Sequence, residues 1–315
     1  MEVFNLEYPN QIYLDDIQEM MSLAIGYFDG VHRGHQEVIG EAKRVAQKKG
    51  YKSAVMTFHP HPSVVLSKQK KEIHYITPKR DKMDQFEQFG IDYVFIVRFN
   101  EALAQLEPQQ FVDEFLIKLG VKHLVAGFDF SYGHKGKGTM NTIEEHSRGM
   151  FTFSTIDKIT HNEEKISSTA IREKISTGKM EEAHQLLGRP YHLRGTVIQG
   201  DKRGRTLGFP TTNIELSDDY YLPKAGVYAV KITVSEVIYD GMANIGYKPT
   251  FNENEGKPSI EVYIFDFSGN IYGKEVVIDL FHYIRGEQKF SSIEELKSQL
   301  HNDEERIRHF FAISS

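Results

Sequence analysis

Leu23-Ala-Ile-Gly-Tyr-Phe-Asp-Gly-Val-His-Arg-Gly-His35 is the stretch whose reading decides the first half of the chain. Leu23 to Phe28 is a short apolar run and reads as a buried strand. Asp29-Gly30 turns the chain. From His35 onward Val38, Ile39, Ala42, Val45 and Ala46 recur at helical spacing, and Gly50 is a stop signal. Strand, tight turn and helix in this order open a parallel α/β sheet. His32 and His35 stand three apart at the helix start and share a face. Gly34 between them lets a ligand approach the backbone. The unpaired N–H groups and positive dipole end of a helix N-terminus suit a phosphate. Two histidines in such a loop are ordinary surface residues by themselves; here the glycines, the turn and the strand before it all agree on a phosphate site.

Working outward, 315 residues exceed one typical domain and suit two. A composition of 40% hydrophobic and 26% charged residues is that of a globular protein. The formal net charge of −6 argues against a nonspecific nucleic-acid binder, which carries a basic excess. The absence of cysteine rules out disulfides and thiolate metal sites and fits a reducing cytoplasm. No apolar run approaches a membrane span, and Met1-Glu-Val-Phe-Asn5 lacks the basic region and apolar core of a secretory signal. The expected setting is cytoplasmic, without nucleic-acid or membrane partners, as a monomer or weak homo-oligomer.

Further strands are expected at 51–58, at Tyr93 to Phe99 and at His123 to Gly127. Helices are expected from Thr77-Pro78, with Thr77 as cap, to about Phe89, and from Pro108 to Leu119. His59-Pro60-His61-Pro62 breaks the 51–58 strand. Its prolines favour an extended loop over a metal site, because zinc needs about three or more protein ligands and no further one is nearby. A loop after a strand of a doubly wound sheet is a ligand position, so Phe58 and Pro60 are candidate pocket residues. The last strand is followed by Phe128-Asp129-Phe130 and a Gly/Lys loop to Gly138 that suits phosphates but is not a Walker A sequence. Ile166-Ser167-Ser168-Thr169-Ala-Ile-Arg172 reads as a helix start, with hydroxyls and an arginine for a second anion site.

Leu187-Gly188-Arg189-Pro190 marks a break, and helical spacing then disappears until about Ser292. Strands are expected at His192–Ile198, Gly226–Val234, Gly241–Ile245, Ser259–Phe267 and Lys274–Tyr283, in a compact antiparallel barrel. An amphipathic helix is expected from Ile293 to Phe311. Between the first two strands, Gly200 to Asn213 reads as a flexible, positive, phosphate-wrapping loop. In it Thr211 offers a hydroxyl and Asn213 a carbonyl oxygen, hard donors suited to Mg²⁺. Glu261 sits in an apolar strand, either at an exposed end or partly buried; the second position would suit a general base.

Three motifs carry a family resemblance. Gly26-x-Phe28-Asp29-Gly30-x-His32-x-Gly34-His35 and Ile166-Ser-Ser-Thr-x-x-Arg172 resemble the adenylyltransferase half of prokaryotic riboflavin kinase/FAD synthetases. Gly200-x-x-x-Gly204-x-x-x-Gly208-Phe-Pro210-Thr211-x-Asn213, followed by a strand glutamate, resembles their riboflavin kinase domain. The usual Pro-Thr-Ala-Asn reads Pro-Thr-Thr-Asn here, which adds the Thr212 hydroxyl. The resemblance spans the chain in family order. It implies a Rossmann-like, doubly wound FMN adenylyltransferase domain over 1–187. A riboflavin kinase domain follows over 188–315, a six-stranded β-barrel with a terminal helix. ATP would phosphorylate riboflavin to FMN, and a second ATP would adenylylate FMN to FAD with loss of pyrophosphate.

The resemblance also implies residue roles. Glu261, His32 and His35 are catalytic. Gly26, Phe28, Gly34, Ser168, Thr169, Arg172, Lys202, Gly204, Gly208 and Pro210 bind ATP or its phosphates. Phe58, Pro60, Asp129, Phe130 and Arg285 contact flavin, and Thr211 and Asn213 hold Mg²⁺. Rival readings are a nucleotidyltransferase with another substrate, an aminoacyl-tRNA synthetase fragment and a flavin-binding regulator. The first leaves the barrel unexplained. The second lacks its Lys-Met-Ser-Lys-Ser loop. The third is weighed down by the intact Glu261, Asn213 and histidine pair.

Overall fold

The computed structural model describes residues 1–9, 19–66, 73–200, 208–248 and 257–314. The chain divides into two compact units, Met1–Ser168 and Thr169–Ser315.

The first unit carries strands β1 (Glu2–Leu6), β2 (Met21–Ile25), β3 (Lys52–His59), β4 (Tyr93–Arg98) and β5 (Val121–Gly127), a ribbon of β6 (Ser131–Tyr132) and β7 (Gly138–Thr139), and β8 (Thr152–Ile156). A second ribbon joins β9 (Thr160–His161) to β10 (Glu164–Lys165). Six strands form one parallel sheet in the order β1-β4-β3-β2-β5-β8. Side chains alternate across it: Leu23 and Ile25 enter one core, and Ala24 enters the other. Helices α1 (Arg33–Lys49) and α3 (Lys79–Gln88) supply Ile39 and Phe86 to the Ala24 side. On the opposite side α5 (Pro108–Val112) and a π-helical turn, Asp113–Ile117, supply Phe111 and Phe115. Each fully buried phenylalanine contributes roughly 1.5–3 kcal/mol. Short helices α2 (Pro62–Leu66), α4 (Glu101–Ala104) and α6 (Ile143–Ser147) complete the unit.

Local details differ from expectation. The sheet has two strands more than the four expected, β1 and β8, both at its edges. Strand β2 stops at Ile25 rather than Phe28, because Phe28 adopts a left-handed φ of 53°. Helix α3 starts at Lys79 with Pro78 at the N-cap and no side-chain cap; the Thr77 N–H donates instead to Asp29 Oδ1 at 3.1 Å. Where an extended loop was expected, Pro62 opens the short α2, a position that suits a residue lacking an N–H.

In the second unit α7 (Ser168–Thr177) and α8 (Met180–Leu187) are separate helices, broken where Gly178 takes φ 81°. Strands β11 (Tyr191–Ile198), β12 (Thr211–Leu216), β13 (Gly226–Val234), β14 (Val237–Lys248), β15 (Lys257–Ile264) and β16 (Glu275–Arg285) close a barrel in the order β11-β12-β15-β14-β13-β16. Leu193, Tyr228, Ile232, Val262 and Ile278 lie on its inward face and are fully buried. On the outward face Val227, Ala229 and Met242 pack against Ile307 and Phe311 of α9 (Ile293–Ser314). The strand missed in the sequence is β12: Thr211 and Asn213 lie on it, not in a loop. Ile214 is its one well-buried residue, too weak a period for a strand reading. The contact division precedes the expected break at Gly188 because α8 buries Ala183, Leu186 and Leu187 and packs on β16 and β11.

Candidate active sites

Neighbouring β2 and β5 lead outward in opposite directions, which makes the crevice at their carboxyl ends the switch point of the sheet, where open α/β folds bind ligands. The histidine turn leaves from there. The Phe28 ring folds back over Gly26 so closely that a Cβ at Gly26 would lie 3.0 Å from it. Phe28 is buried and meets His35 edge-on at 5.3 Å. Gly30 at φ 92° and Val31 at φ 40° complete a left-handed turn. Conformations of this kind in non-glycine residues cost roughly 1–3 kcal/mol each and persist only where the surroundings hold them.

They are held here by specific contacts. Lys82 Nζ and Thr57 Oγ1 both donate to the Tyr27 carbonyl, at 2.8 and 3.0 Å. Ser168 Oγ donates to the Asp29 carbonyl at 2.8 Å. The turn delivers His32 to the N-cap of α1, where its Nδ1 accepts from the His35 N–H at 3.2 Å. The two imidazoles stack at 3.5 Å, with Gly34 passing close beneath His32. The pair therefore stands at a helix N-terminus, as the spacing predicts. Thr169 and Arg172 continue α7 into the second unit, where Arg172 lies over the Tyr221 ring at 5.6 Å.

Beside the turn, rings follow one another along the carboxyl ends of the strands. Tyr27 meets Phe58 at 5.6 Å, Phe58 meets Phe111 at 6.4 Å, Phe111 meets Tyr132 at 5.6 Å, and Tyr132 stacks on Phe130 at 5.9 Å. Pro60 follows a cis peptide after Phe58 and His59. Asp129 is exposed and pairs with Lys165 at 2.7 Å. Burial pushes the Tyr27 phenol well above its usual range, and its hydroxyl has no hydrogen-bond partner among the described residues.

The second site is set by register. Asn213 stands directly opposite Glu261 and Thr211 opposite Tyr263 across β12 and β15. On the other side of β15, Asn244 and Met242 of β14 face the same two residues. All six therefore share the outer face of the barrel. Glu261 is mid-strand and half-buried, not at an exposed strand end. It lines a cavity of about 290 Å³ with Thr211, Asn244, Tyr263, Arg285 and Phe290. Arg285 is held by Asp303, a fully buried carboxylate on α9, through contacts from Nε and the second guanidinium nitrogen at 2.8 Å. Burial raises the Tyr263 phenol above its usual pKa.

Gly200 passes so close to Asn213 that a Cβ there would lie 1.9 Å from the amide nitrogen, so the backbone braces that side chain. Hard oxygen donors on Thr211, Asn213 and Glu261, gathered on one face, fit Mg²⁺. Thr212 points to the opposite, inner face, and its buried hydroxyl has no partner among the described residues. Gly208, at φ 87°, and the exposed Pro210 lead into β12, whereas Lys202 and Gly204 lie outside the described residues.

Sequence reasoning missed Asn244, which only the β14–β15 register brings to Glu261. It also missed Lys82. The available signal was a lysine four residues before Phe86, on the buried face of a helix.

A histidine-bearing turn at the switch point of a parallel sheet, joined in one chain to a barrel with a carboxylate-lined outer cavity, has the architecture of a two-site transferase. Residues 14–170 match the FAD synthetase family, and residues 187–311 match the riboflavin kinase family. Relatives described as bifunctional riboflavin kinase/FMN adenylyltransferase include proteins of Bacillus subtilis, 48% identical over 98% of both chains, and Listeria monocytogenes, 51% identical over 94% of both. A solved Streptococcus pneumoniae structure described as a macrolide-efflux protein is 33% identical, with a TM-score of 0.87 over 96% of this chain and 98% of that one. Among the described residues no helix is long and apolar enough to cross a membrane. The chain belongs to the bifunctional riboflavin kinase/FMN adenylyltransferase family. It phosphorylates riboflavin through its C-terminal domain and adenylylates FMN through its N-terminal domain.

Proposed function

We propose that the two geometries above are the two reaction sites and that their residues act as follows. At the barrel, the terminal ribityl hydroxyl of riboflavin attacks the γ-phosphate of ATP and releases ADP. Glu261 accepts or orients the hydroxyl proton. Thr211 and Asn213 would hold Mg²⁺, which would supply neutralisation of phosphate charge. Gly208 and Pro210, with Lys202 and Gly204, belong to the segment assigned to the phosphates. Arg285, fixed by Asp303, lines the cavity assigned to flavin.

At the α/β site, a phosphate oxygen of FMN attacks the α-phosphate of a second ATP, and pyrophosphate leaves. No protein nucleophile is needed, so the site works by positioning and charge stabilisation. His32 and His35 donate to the phosphate oxygens as charge develops, and Gly26, Phe28 and Gly34 shape the turn that admits them. Ser168 belongs to the phosphate set, and Thr169 and Arg172 keep the phosphate role that the family resemblance implies. Phe58, Pro60, Asp129 and Phe130 are assigned to the flavin of FMN.

The functional division is placed at 187/188; the start of the kinase match at residue 187 supports it. A cysteine-free chain fits a reducing cytoplasm, and the chain acts there as a monomer or weak homo-oligomer. The observation that carries the residue assignment is the direct pairing of Asn213 with Glu261 at a cavity, on a motif strand. The test is flavin chromatography of the parent, His32→Ala and Glu261→Ala after incubation with ATP and Mg²⁺ and, in separate runs, riboflavin or FMN. FMN followed by FAD, with each variant blocking only its own step, is expected. Loss of both steps in either folded variant overturns the assignment.

A further inference from the structure

We propose that Lys82 is a positioning residue for adenylyl transfer, its side-chain amine holding the Tyr27 carbonyl and thereby locking the left-handed turn that sets the His32–His35 pair. The inference rests on the reading of that pair as the nucleotide site.

Lysine is a poor choice for its position. Its residue is only 6% exposed, on the face of α3 that carries Phe86 into the core. Burying an ammonium group is costly, and a methionine there would fill the space without that cost. The cost is offset by what an apolar side chain cannot do: the 2.8 Å hydrogen bond to the Tyr27 carbonyl, beside the attraction of the Asp29 carboxylate for the ammonium.

That carbonyl is not an arbitrary acceptor. It belongs to the peptide plane between Tyr27 and Phe28, and φ of Phe28 measures rotation next to that plane. Fixing the oxygen fixes the plane, and so holds Phe28 at its unfavourable 53°. Thr57 Oγ1 grips the same oxygen from β3 at 3.0 Å. The segment leading into α3 grips the turn again, through the Thr77 N–H on Asp29 Oδ1. The α3 region thus clamps the turn on both sides of Phe28. Downstream, Val31 at φ 40° leads directly into His32. With the clamp released, the strained turn relaxes and the histidines lose their aim. A misplacement of about 1 Å at a reacting centre costs on the order of 10²-fold in rate.

The test uses the full-length enzyme with FMN, ATP and Mg²⁺, following FAD. Lys82→Met removes the donor, and Lys82→Gln keeps a donor without the charge. Lys82→Met is expected to lower kcat for FAD formation roughly tenfold or more while KM for FMN stays within about threefold, because aim is lost rather than flavin binding. Lys82→Gln is expected to recover most of that loss, and riboflavin phosphorylation to stay at the parent level in both. An unchanged kcat in Lys82→Met overturns the proposal, as does an equal loss in Lys82→Gln. If Lys82→Met fails to fold, Thr57→Val decides: it removes the second donor without changing volume. A fall in FAD formation supports the clamp, and parent-level activity overturns it. His32→Ala is run beside them. Should it form FAD normally, the site reading itself fails; should it alone lose FAD formation, only the role of Lys82 fails.

Discussion

Asn213 and Glu261 are direct cross-strand partners, on β12 and β15, and both lie on the outer face of the barrel. Side chains at such positions have Cβ atoms about 5 Å apart, close enough for the proposed metal-binding amide and proton-accepting carboxylate to serve one phosphate. Glu261→Gln keeps the shape and removes the base. It is expected to lower riboflavin phosphorylation about 10²–10⁴-fold, the usual contribution of a positioned base, while FAD formation from supplied FMN continues. Separate assays of the two steps check this. Normal phosphorylation in Glu261→Gln would remove the carboxylate from the reaction.

His32 makes the opposite prediction. It caps α1 and stacks on His35 at 3.5 Å, so under the proposed assignment its loss removes one phosphate donor and loosens the second. His32→Ala is expected to reduce FAD formation about 10²–10³-fold, with FMN accumulating when riboflavin is the substrate. Flavin chromatography reads both quantities in one run, and FAD made at the parent rate would contradict the assignment.

These two sites differ in how they show in the sequence. The histidine turn is local: strand, glycines and helix follow one another within a few residues, and every local rule agrees. Glu261 shows as an anomaly in an apolar strand, but its partner does not. Strand β12 has one strongly buried residue, so Thr211 and Asn213 read as loop residues until pairing with β15 places them. Asn244 is invisible for the same reason. Lys82 is hidden differently, since its acceptor is a backbone carbonyl 55 residues away, which no side-chain pattern records. The edge strands β1 and β8 escape because one residue in five of β1 is buried and none of β8 is, so the apolar run that betrays the central strands is missing.

Asp303 carries a stability prediction. Its carboxylate is fully buried and is met by Arg285 at 2.8 Å and by Gln299 Nε2 at 2.8 Å. Truncating one member of a buried pair strands the other's charge, which costs roughly 3–5 kcal/mol. Asp303→Ala is expected to lower the unfolding free energy of the barrel by that amount and to weaken riboflavin phosphorylation, because Arg285 loses its brace at the cavity. Urea unfolding and the kinase assay test the two parts. A change below about 1 kcal/mol would show that Arg285 finds compensation elsewhere.

Thr212 predicts a gain. It faces the barrel interior, away from Thr211 and Asn213, with a buried hydroxyl that has no partner among the described residues. An unsatisfied buried polar group costs about 1–3 kcal/mol, and valine has the same shape without it. Thr212→Val is expected to raise the barrel's Tm by a few degrees and to leave riboflavin phosphorylation within about twofold, since its side chain points away from the reacting face. Loss of kinase activity in a stabilised variant would mean that the hydroxyl serves the site.

Lys82 predicts a pH dependence that can be worked out in sign. Burial lowers its pKa from an ordinary 10.5 to about 8, against the opposing pull of the Asp29 carboxylate. Between those values the unfolded chain binds more protons than the folded one, so stability rises with pH across that window. Below about pH 8 the folded unit carries the buried ammonium and its full desolvation cost. The urea midpoint of the N-terminal unit is therefore expected to gain more between pH 7.5 and 9.5 in the parent than in Lys82→Met, which has nothing to titrate there. The difference between the two proteins isolates this one group, because every other titration is common to both. Equal slopes would mean that Lys82 keeps its proton throughout the range. In that case the Asp29 carboxylate compensates for burial, and the amine clamps the Tyr27 carbonyl as a permanent cation.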